Sequence, residues 1–340
     1  MRLLPSWAGI VVRFIGVINL RRSRRTLVIA SRRSRLAKCQ AEQVGQSLAC
    51  QHPRLAIEYR WIDSQGDESA EGPLASTVSM HRGGLKGLFS GAIERAVLKQ
   101  RADVAVHSLK DLPTEPTPGL IIAAVPCRQD VRDCLITSQA DTLARLPQGA
   151  VVGTSGPRRA AQIKRYRPDI RIKLIRGNVE TRLRKVLESA AESDTFYNAT
   201  LLAMAGLNRC GLREHATKPI DPDMLLPAAG QGALAIQCRE DDHITLQQCL
   251  SLNDPLTAAA VHLERRVVAS LHGDCYSPIA VLAEHLGNGA ELRLRARVLS
   301  RDGAVMAHSD QTAAVGATKQ LFHNVLADLQ RQNCEQILQM

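Results

Sequence analysis

From Thr26 onward, short β-rich runs alternate with longer stretches of helical period, and this alternation restricts the chain to an α/β architecture. Strand-like runs fall at residues 26–30, 56–62, 103–106, 120–125, 151–154, 170–175 and 234–238. Helix-like stretches fall at 34–49, 87–99, 158–166 and 179–189; in the second, Leu88, Ile93, Ala96 and Val97 make one apolar stripe. Residues 201–205 are apolar and are followed by Gly206. Such an order predicts βαβ units built on parallel sheets. After Asn253 the pattern changes. A strong helix at 255–270, an alternating strand at 292–299 and a last helix at 316–329 predict a smaller unit. Ligands of parallel α/β sheets sit beyond the carboxyl ends of the strands. Three charged motifs fall at such ends, at residues 107–111, 154–159 and 176–178, and predict one shared cleft.

Length, charge and cysteine usage remove several function classes. The 340 residues suffice for two or three cores. The net charge of +11 belongs to one end: residues 1–38 hold ten Lys and Arg and no acid, leaving 34 basic against 33 acidic residues beyond. A nucleic-acid surface spreads its charge over a face and stacks bases on aromatics, whereas this chain has only four Phe, four Tyr and two Trp. No nucleic-acid partner is expected. Residues 7–20 are apolar but interrupted by Arg13 and too short to span a bilayer. The basic run 21–25 follows them, the reverse of a secretory signal. Residues 1–25 are expected to be a disordered extension, although an Arg-rich, acid-free start also resembles a mitochondrial transit peptide. The nine cysteines are scattered and odd in number, with no Cys-x-x-Cys, which points to free thiols in a reducing, cytoplasmic setting. No His/Cys cluster has zinc spacing, so no metal is expected.

The motifs themselves carry charge chemistry. In Gly153-Thr-Ser-Gly-Pro157-Arg-Arg159, small residues after a strand lead into a helix that exposes backbone N–H groups. Pro157 suits the first helical turn. Arg158 and Arg159 add two guanidinium forks that match carboxylates. Read alone, the motif is an ordinary helix start with solvated arginines. Arg176-Gly177-Asn178, followed by Thr181-Arg182, repeats the arrangement, and the recurrence favours anion binding. Lys110-Asp111 sets a carboxylate beside an ammonium at a strand end, where it suits protonation of a leaving amine or stabilisation of a cation; a loop Asp is otherwise a turn residue. The glycine-rich stretch around Lys86 reads equally as a lid or a plain loop, and residues 227–232 read as a tight backbone crossing. Cys275, between Gly273 and Pro278, is a loop thiol open to deprotonation and alkylation. The other cysteines read as small apolar residues.

In this order the motifs resemble the hydroxymethylbilane synthase family, also called porphobilinogen deaminases. The likeness runs from about Thr26 to the C-terminus. It includes Ile29-Ala-Ser-Arg32, Ala105-Val-His-Ser-Leu-Lys-Asp111, Val152-Gly-Thr-Ser155, Leu174-Ile-Arg-Gly-Asn-Val179, Leu202-Ala-Met-Ala-Gly-Leu207, residues 227–233 and Gly273-Asp-Cys275. The resemblance implies two periplasmic-binding-protein-like α/β domains with a central cleft and a smaller α+β C-terminal domain. The expected division is 26–127 with 233–251, then 128–232, then 253–340. It implies a monomer carrying a dipyrromethane cofactor, joined by a thioether to Cys275. It implies condensation of four porphobilinogen molecules into a linear tetrapyrrole with loss of ammonia. Asp111 matches the catalytic aspartate. Ser108, Lys110, Thr154, Ser155, Arg158, Arg159, Arg176, Gly177 and Asn178 match cofactor-binding positions. Arg32, Lys86, Arg182 and Gln231 match substrate-binding ones.

The physics suits this chemistry. Each porphobilinogen brings two carboxylates, so a growing chain gathers negative charge that a ring of Arg and Lys neutralises. Loss of ammonia leaves an electron-poor cation for which a nearby carboxylate is the natural stabiliser. The chain also departs from the family pattern. Gly91-Ala92 replaces a usual Lys-Glu, Arg35 a Pro, Gly156-Pro157 a Ser-Leu, Asn198 an Asp and Asp274 a Gly. These departures motivate an alternative, a paralogue that binds a pyrrole or another polycarboxylate without turnover. A third reading is a solute-binding protein.

Overall fold

The computed structural model describes residues 25–63, 90–188, 196–274 and 276–340. The first domain opens with β1 (Arg25–Arg32), α1 (Arg35–Gln51), β2 (Leu55–Ile62), α2 (Gly91–Leu98), β3 (Val104–Ser108) and β4 (Leu120–Ala124). The second comprises β5 (Asp133–Ile136), β6 (Val151–Gly153), α3 (Pro157–Tyr166), β7 (Arg171–Lys173), α4 (Val179–Leu187), β8 (Ala199–Ala203), α5 (Met204–Cys210) and β9 (Lys218–Pro219). The chain then returns to the first sheet as β10 (Leu234–Arg239) and continues through α6 (His243–Leu250) and α7 (Pro255–Ser270). It ends in a meander of β11 (Ile279–Leu286), β12 (Glu291–Leu299) and β13 (Met306–Ala314), then α8 (Thr318–Arg331) and α9 (Cys334–Gln339).

Both larger sheets share one plan. The first runs β2-β1-β3-β10-β4 and the second β7-β6-β8-β5-β9. In each, three strands are parallel and the fourth runs against its two neighbours. The expected class of two α/β domains of periplasmic-binding-protein type with a smaller α+β domain is therefore borne out. The expectation of purely parallel sheets is corrected, because β5 and β10 are antiparallel. Strands β5, β9, β11 and β13 had no counterpart in the periodicity. Residues 201–205 split between β8 and α5, and the 87–99 helix is described from Gly91.

Local chemistry explains the elements that face the cleft. α1 starts where Ser34 Oγ accepts from Ala37 N at 3.4 Å. It buries Ala37, Ala41, Val44 and Leu48, one helical face, against the sheet that holds Leu27 and Ile29. Those two strand residues are fully buried, each worth roughly 1.5–3 kcal/mol of apolar transfer. In the third domain, Leu263 and Val267 of α7 and Leu321 and Val325 of α8 cover one face of the meander.

Two backbone crossings join the sheets, and the third domain is riveted to them. Gln129 N donates to Gly232 O at 3.2 Å. Gly232 sits at φ +89°, and a Cβ there would lie 2.5 Å from Gln129 O, so the crossing at residues 227–232 is as tight as expected. Glu264 of α7 is fully buried. Its carboxylate accepts from Arg128 Nη1 at 2.7 Å and Nη2 at 3.0 Å, from Gly230 N at 2.6 Å and from Ala283 N at 2.8 Å. One carboxylate thus satisfies both crossings and β11.

Candidate active site

Asp111 stands at the end of β3 because the turn before it is pinned from three sides. Leu109 is buried with Leu112, Val125 and Ala233. Its N–H donates to Ala233 O at 3.0 Å. Arg265 of α7 donates to Leu112 O at 2.9 Å and Pro113 O at 2.5 Å, holding the carbonyls that follow. With the apolar residues anchored, the Asp111 carboxylate is left exposed and Lys110 half-buried. Asp111 also borders a small cavity shared with Arg32, Ser34, Gln40, His107 and Ser108 at the start of α1. Gln40 Nε2 donates to Ser108 Oγ at 2.8 Å. His107 is buried, and burial pushes its pKa down.

Across from this turn lies a buried carboxylate, Asp133 at the head of β5. Arg158 Nη2 donates to its Oδ2 at 2.7 Å, and Arg159 Nη2 and Nε to its Oδ1 at 2.6 Å and 3.1 Å. Burial alone would raise the Asp133 pKa, but Arg158 and Arg159 hold it far below the usual carboxylate range. Gln231 Nε2 also reaches Oδ1, at 3.1 Å, while Gln231 Oε1 accepts from Lys110 Nζ at 3.3 Å. Burial first, and the Arg159 charge second, lower Lys110 to about 8. The same two causes lower Arg182 to about 10. Asp111 opposes both shifts, so Lys110, Asp111, Arg159 and Arg182 lie within one electrostatic neighbourhood. The result is a carboxylate ringed by crowded cations, an arrangement that favours multiply anionic ligands.

Residues 27–247 match the family described as "Porphobilinogen deaminase, dipyromethane cofactor binding domain", and residues 258–329 match "Porphobilinogen deaminase, C-terminal domain". A porphobilinogen deaminase of Legionella pneumophila is 42% identical over 293 residues, covering 86% of this chain and 91% of that protein. One of Gloeobacter violaceus is 41% identical over 318 residues, covering 92% and 93%. The chain belongs to the porphobilinogen deaminase family. Among solved structures, a periplasmic substrate-binding protein from Coxiella burnetii overlays with a TM-score of 0.40 at 12% identity, covering 68% of this chain and 94% of that one; the sheet topology, not this overlay, carries the fold.

Within the deaminase frame, the expected site residues that fall among the described ones can be located. Arg32, Ser108, Lys110, Asp111, Arg159 and Arg182 cluster as described. Thr154 is buried, and its Oγ1 accepts from Gly156 N at 3.2 Å; Ser155 beside it is exposed. Pro157 occupies the first turn of α3, as expected. Gly177 lies at φ +111° with Thr181 filling the space of a Cβ. Arg182 Nε donates to Gly177 O at 2.8 Å, and Arg176 is half-buried on the same loop.

Several of the expected positions are also engaged in structural contacts. Asn178 serves as the cap of α4, its Oδ1 accepting from Thr181 N at 2.9 Å and Thr181 Oγ1 at 2.7 Å. Gln231, expected at the substrate, is fully buried, its Oε1 accepting from Lys110 Nζ. Arg158 and Arg159 are not solvated: Arg158 is 7% exposed, and both guanidinium groups pair with Asp133. Lys86 and Cys275 lie outside the described residues. Beside the latter, Asp274 Oδ1 accepts from Tyr276 N at 2.9 Å and Ser277 Oγ at 2.8 Å, so the departure from Gly is used to build a turn. Gly91 and Ala92, in place of Lys-Glu, simply open α2. The sequence reading missed Asp133. Its signal was a carboxylate heading the apolar run Cys134-Leu-Ile136, a setting that demands basic partners.

Proposed function

We propose that this chain condenses four porphobilinogen units into the linear tetrapyrrole hydroxymethylbilane, releasing ammonia at each step, with Asp111 managing the reactive cation and Cys275 tethering the cofactor. As a family member the chain is a transferase of tetrapyrrole biosynthesis that uses a dipyrromethane cofactor. The curated relatives favour this enzyme over a non-catalytic paralogue or a solute-binding protein. The observation that carries the residue assignment is the exposed Asp111 carboxylate beside Lys110, Arg159 and Arg182.

The donor set fits dipyrromethane, whose carboxylates need cations that lack full neutralisation. Lys110, at about 8, and Arg182, at about 10, are both depressed by burial and by Arg159, and a bound dianion relieves that crowding. When attached, the cofactor supplies the pyrrole carbon from which the chain grows. Lys110, Arg158, Arg159 and Arg176, with Ser108, Thr154 and Ser155, would hold it. Arg32 and Arg182 orient acetate and propionate groups of the incoming substrate. The Asp111 carboxylate stabilises the cation left when ammonia departs and takes part in the proton transfers around it.

The shared sheet plan supports dividing the chain at 26–127 with 233–251, 128–232 and 253–340. A monomer in the cytoplasm is the accompanying reading, supported by eight free described cysteines. No helix among the described residues is long and apolar enough to cross a membrane.

Intact-mass analysis of the purified chain, with tetrapyrrole formation from porphobilinogen, tests the assignment. The expected result is an added dipyrromethane that disappears in Cys275→Ser, and turnover that collapses in Asp111→Asn while the cofactor stays attached. Full turnover by D111N, or an unmodified mass in material from cells that make porphobilinogen, defeats it.

A further inference from the structure

Gln162 lies on α3, one turn beyond Arg158, and is 4% exposed. Its amide is fully engaged. Nε2 donates to Leu226 O at 3.0 Å and, more weakly, to Arg158 O at 3.3 Å. Oε1 accepts from Leu226 N at 2.9 Å and from Arg297 Nη1 at 3.1 Å. Gln162 thus grips both polar groups of Leu226 in the crossing segment. It also receives a guanidinium from β12 of the third domain. Arg158 Nη1 donates to the same Leu226 carbonyl at 2.6 Å, and its Nη2 goes to Asp133.

The third domain presses on α3 at two further points. The loop after β12 lays Gly303 against the helix backbone, where a Cβ would fall 2.1 Å from Ala161 O. Arg165 Nη1 donates to Ala304 O at 3.1 Å. An interface that excludes even a methyl group fixes the helix against the domain.

We infer that Gln162 is a positioning residue: with Arg297 it transmits the seating of the third domain to Arg158. The third domain reaches the Arg158 guanidinium through Arg297, the Gln162 amide and the Leu226 carbonyl. Since Arg158 and Arg159 share Asp133, a shift of Leu226 O re-aims both forks. The inference rests on the reading that these arginines hold the growing anionic chain.

The test compares Gln162→Leu, which keeps the volume but loses every hydrogen bond, with Arg297→Met, which removes the third domain's guanidinium from Gln162 and also from Asp223 O and Met224 O. Gln162→Glu still accepts from Arg297 and Leu226 N but sets a carboxylate oxygen against the Leu226 carbonyl, so it breaks the middle link alone. Steady-state turnover of porphobilinogen is read with intact-mass analysis, at a temperature well below each variant's melting point. Turnover is expected to fall roughly tenfold in Q162L and R297M, the scale of one misdirected charge-assisted hydrogen bond. Dipyrromethane should remain attached, and protein carrying one or more extra pyrrole units should accumulate. Q162E should fall with them, and Q162L combined with Arg158→Lys should lose less than the product of the two single effects. If Q162L does not fold, R297M and Q162E carry the comparison. Kinetics within twofold of the parent in R297M and Q162L, or in R297M and Q162E if Q162L does not fold, overturn the inference. So do losses that multiply independently. An active D111N would instead remove the functional reading beneath it, so the two failures are distinguishable.

Discussion

Glu264→Gln replaces one charged atom set with a neutral one of the same shape, and the geometry around Glu264 fixes what should follow. The wild-type carboxylate accepts four hydrogen bonds, two from Arg128 and one each from Gly230 N and Ala283 N, with no exposed surface of its own. A glutamine offers one acceptor oxygen and turns an NH2 group toward a donor. Arg128, whose side chain is 11% exposed, is left buried without its counter-charge. Breaking a buried pair in this way costs about 3–5 kcal/mol, a drop of roughly 5–10 °C in melting temperature for a chain of this size. The assay is thermal melting and urea unfolding of the full chain, with Arg128→Met and the double variant completing a cycle. Removing both partners leaves no stranded charge, so the double variant should lose less than the two singles added together. Because the pair joins all three domains, E264Q should also split the transition into more than one step. An E264Q melting point within 2 °C of the parent, or single losses that simply add, would refute the reasoning.

Other outcomes follow from the same geometry. Lys110 is protonated below about 8 and neutral above, so turnover of porphobilinogen should fall as pH rises through that value, and Lys110→Arg should flatten the fall because a guanidinium stays charged. Gly232→Ala must place a methyl 2.5 Å from Gln129 O at φ +89°; a loss of at least about 2 kcal/mol in denaturant titration is expected. Asp133→Asn removes the anchor of both guanidinium forks and should destabilise the second domain while lowering turnover, checked by melting and steady-state rates; an unchanged protein would show that Arg158 and Arg159 are held by other means.

The sequence disclosed the elements whose side chains repeat with a clear period. Ala37, Ala41, Val44 and Leu48 announce α1 because they bury one helical face, and the motif ends fell where β3, β6 and β7 stop. What stayed hidden has physical causes. β5 is four residues long and buried throughout, so it has no alternation to read. β10 reads as a strand, but nothing local to it says that it runs antiparallel between β3 and β4. At the site, residue type and neighbourhood pointed correctly to a carboxylate among cations. They did not reveal that two of those cations are tied to Asp133, 25 and 26 positions earlier in the chain, nor that Gln231 is fully buried. A side chain's direction depends on partners distant in sequence, and no local pattern encodes it.

The placement of β10 also governs the order of assembly during synthesis. The first sheet has a gap between β3 and β4 until residues 234–239 have been made, whereas every strand of the second sheet is complete by Pro219. As the nascent chain emerges, the middle domain can therefore close before the amino-terminal one, against the usual vectorial sequence. Until then the open edges of β3 and β4 are the ones a chaperone must shield.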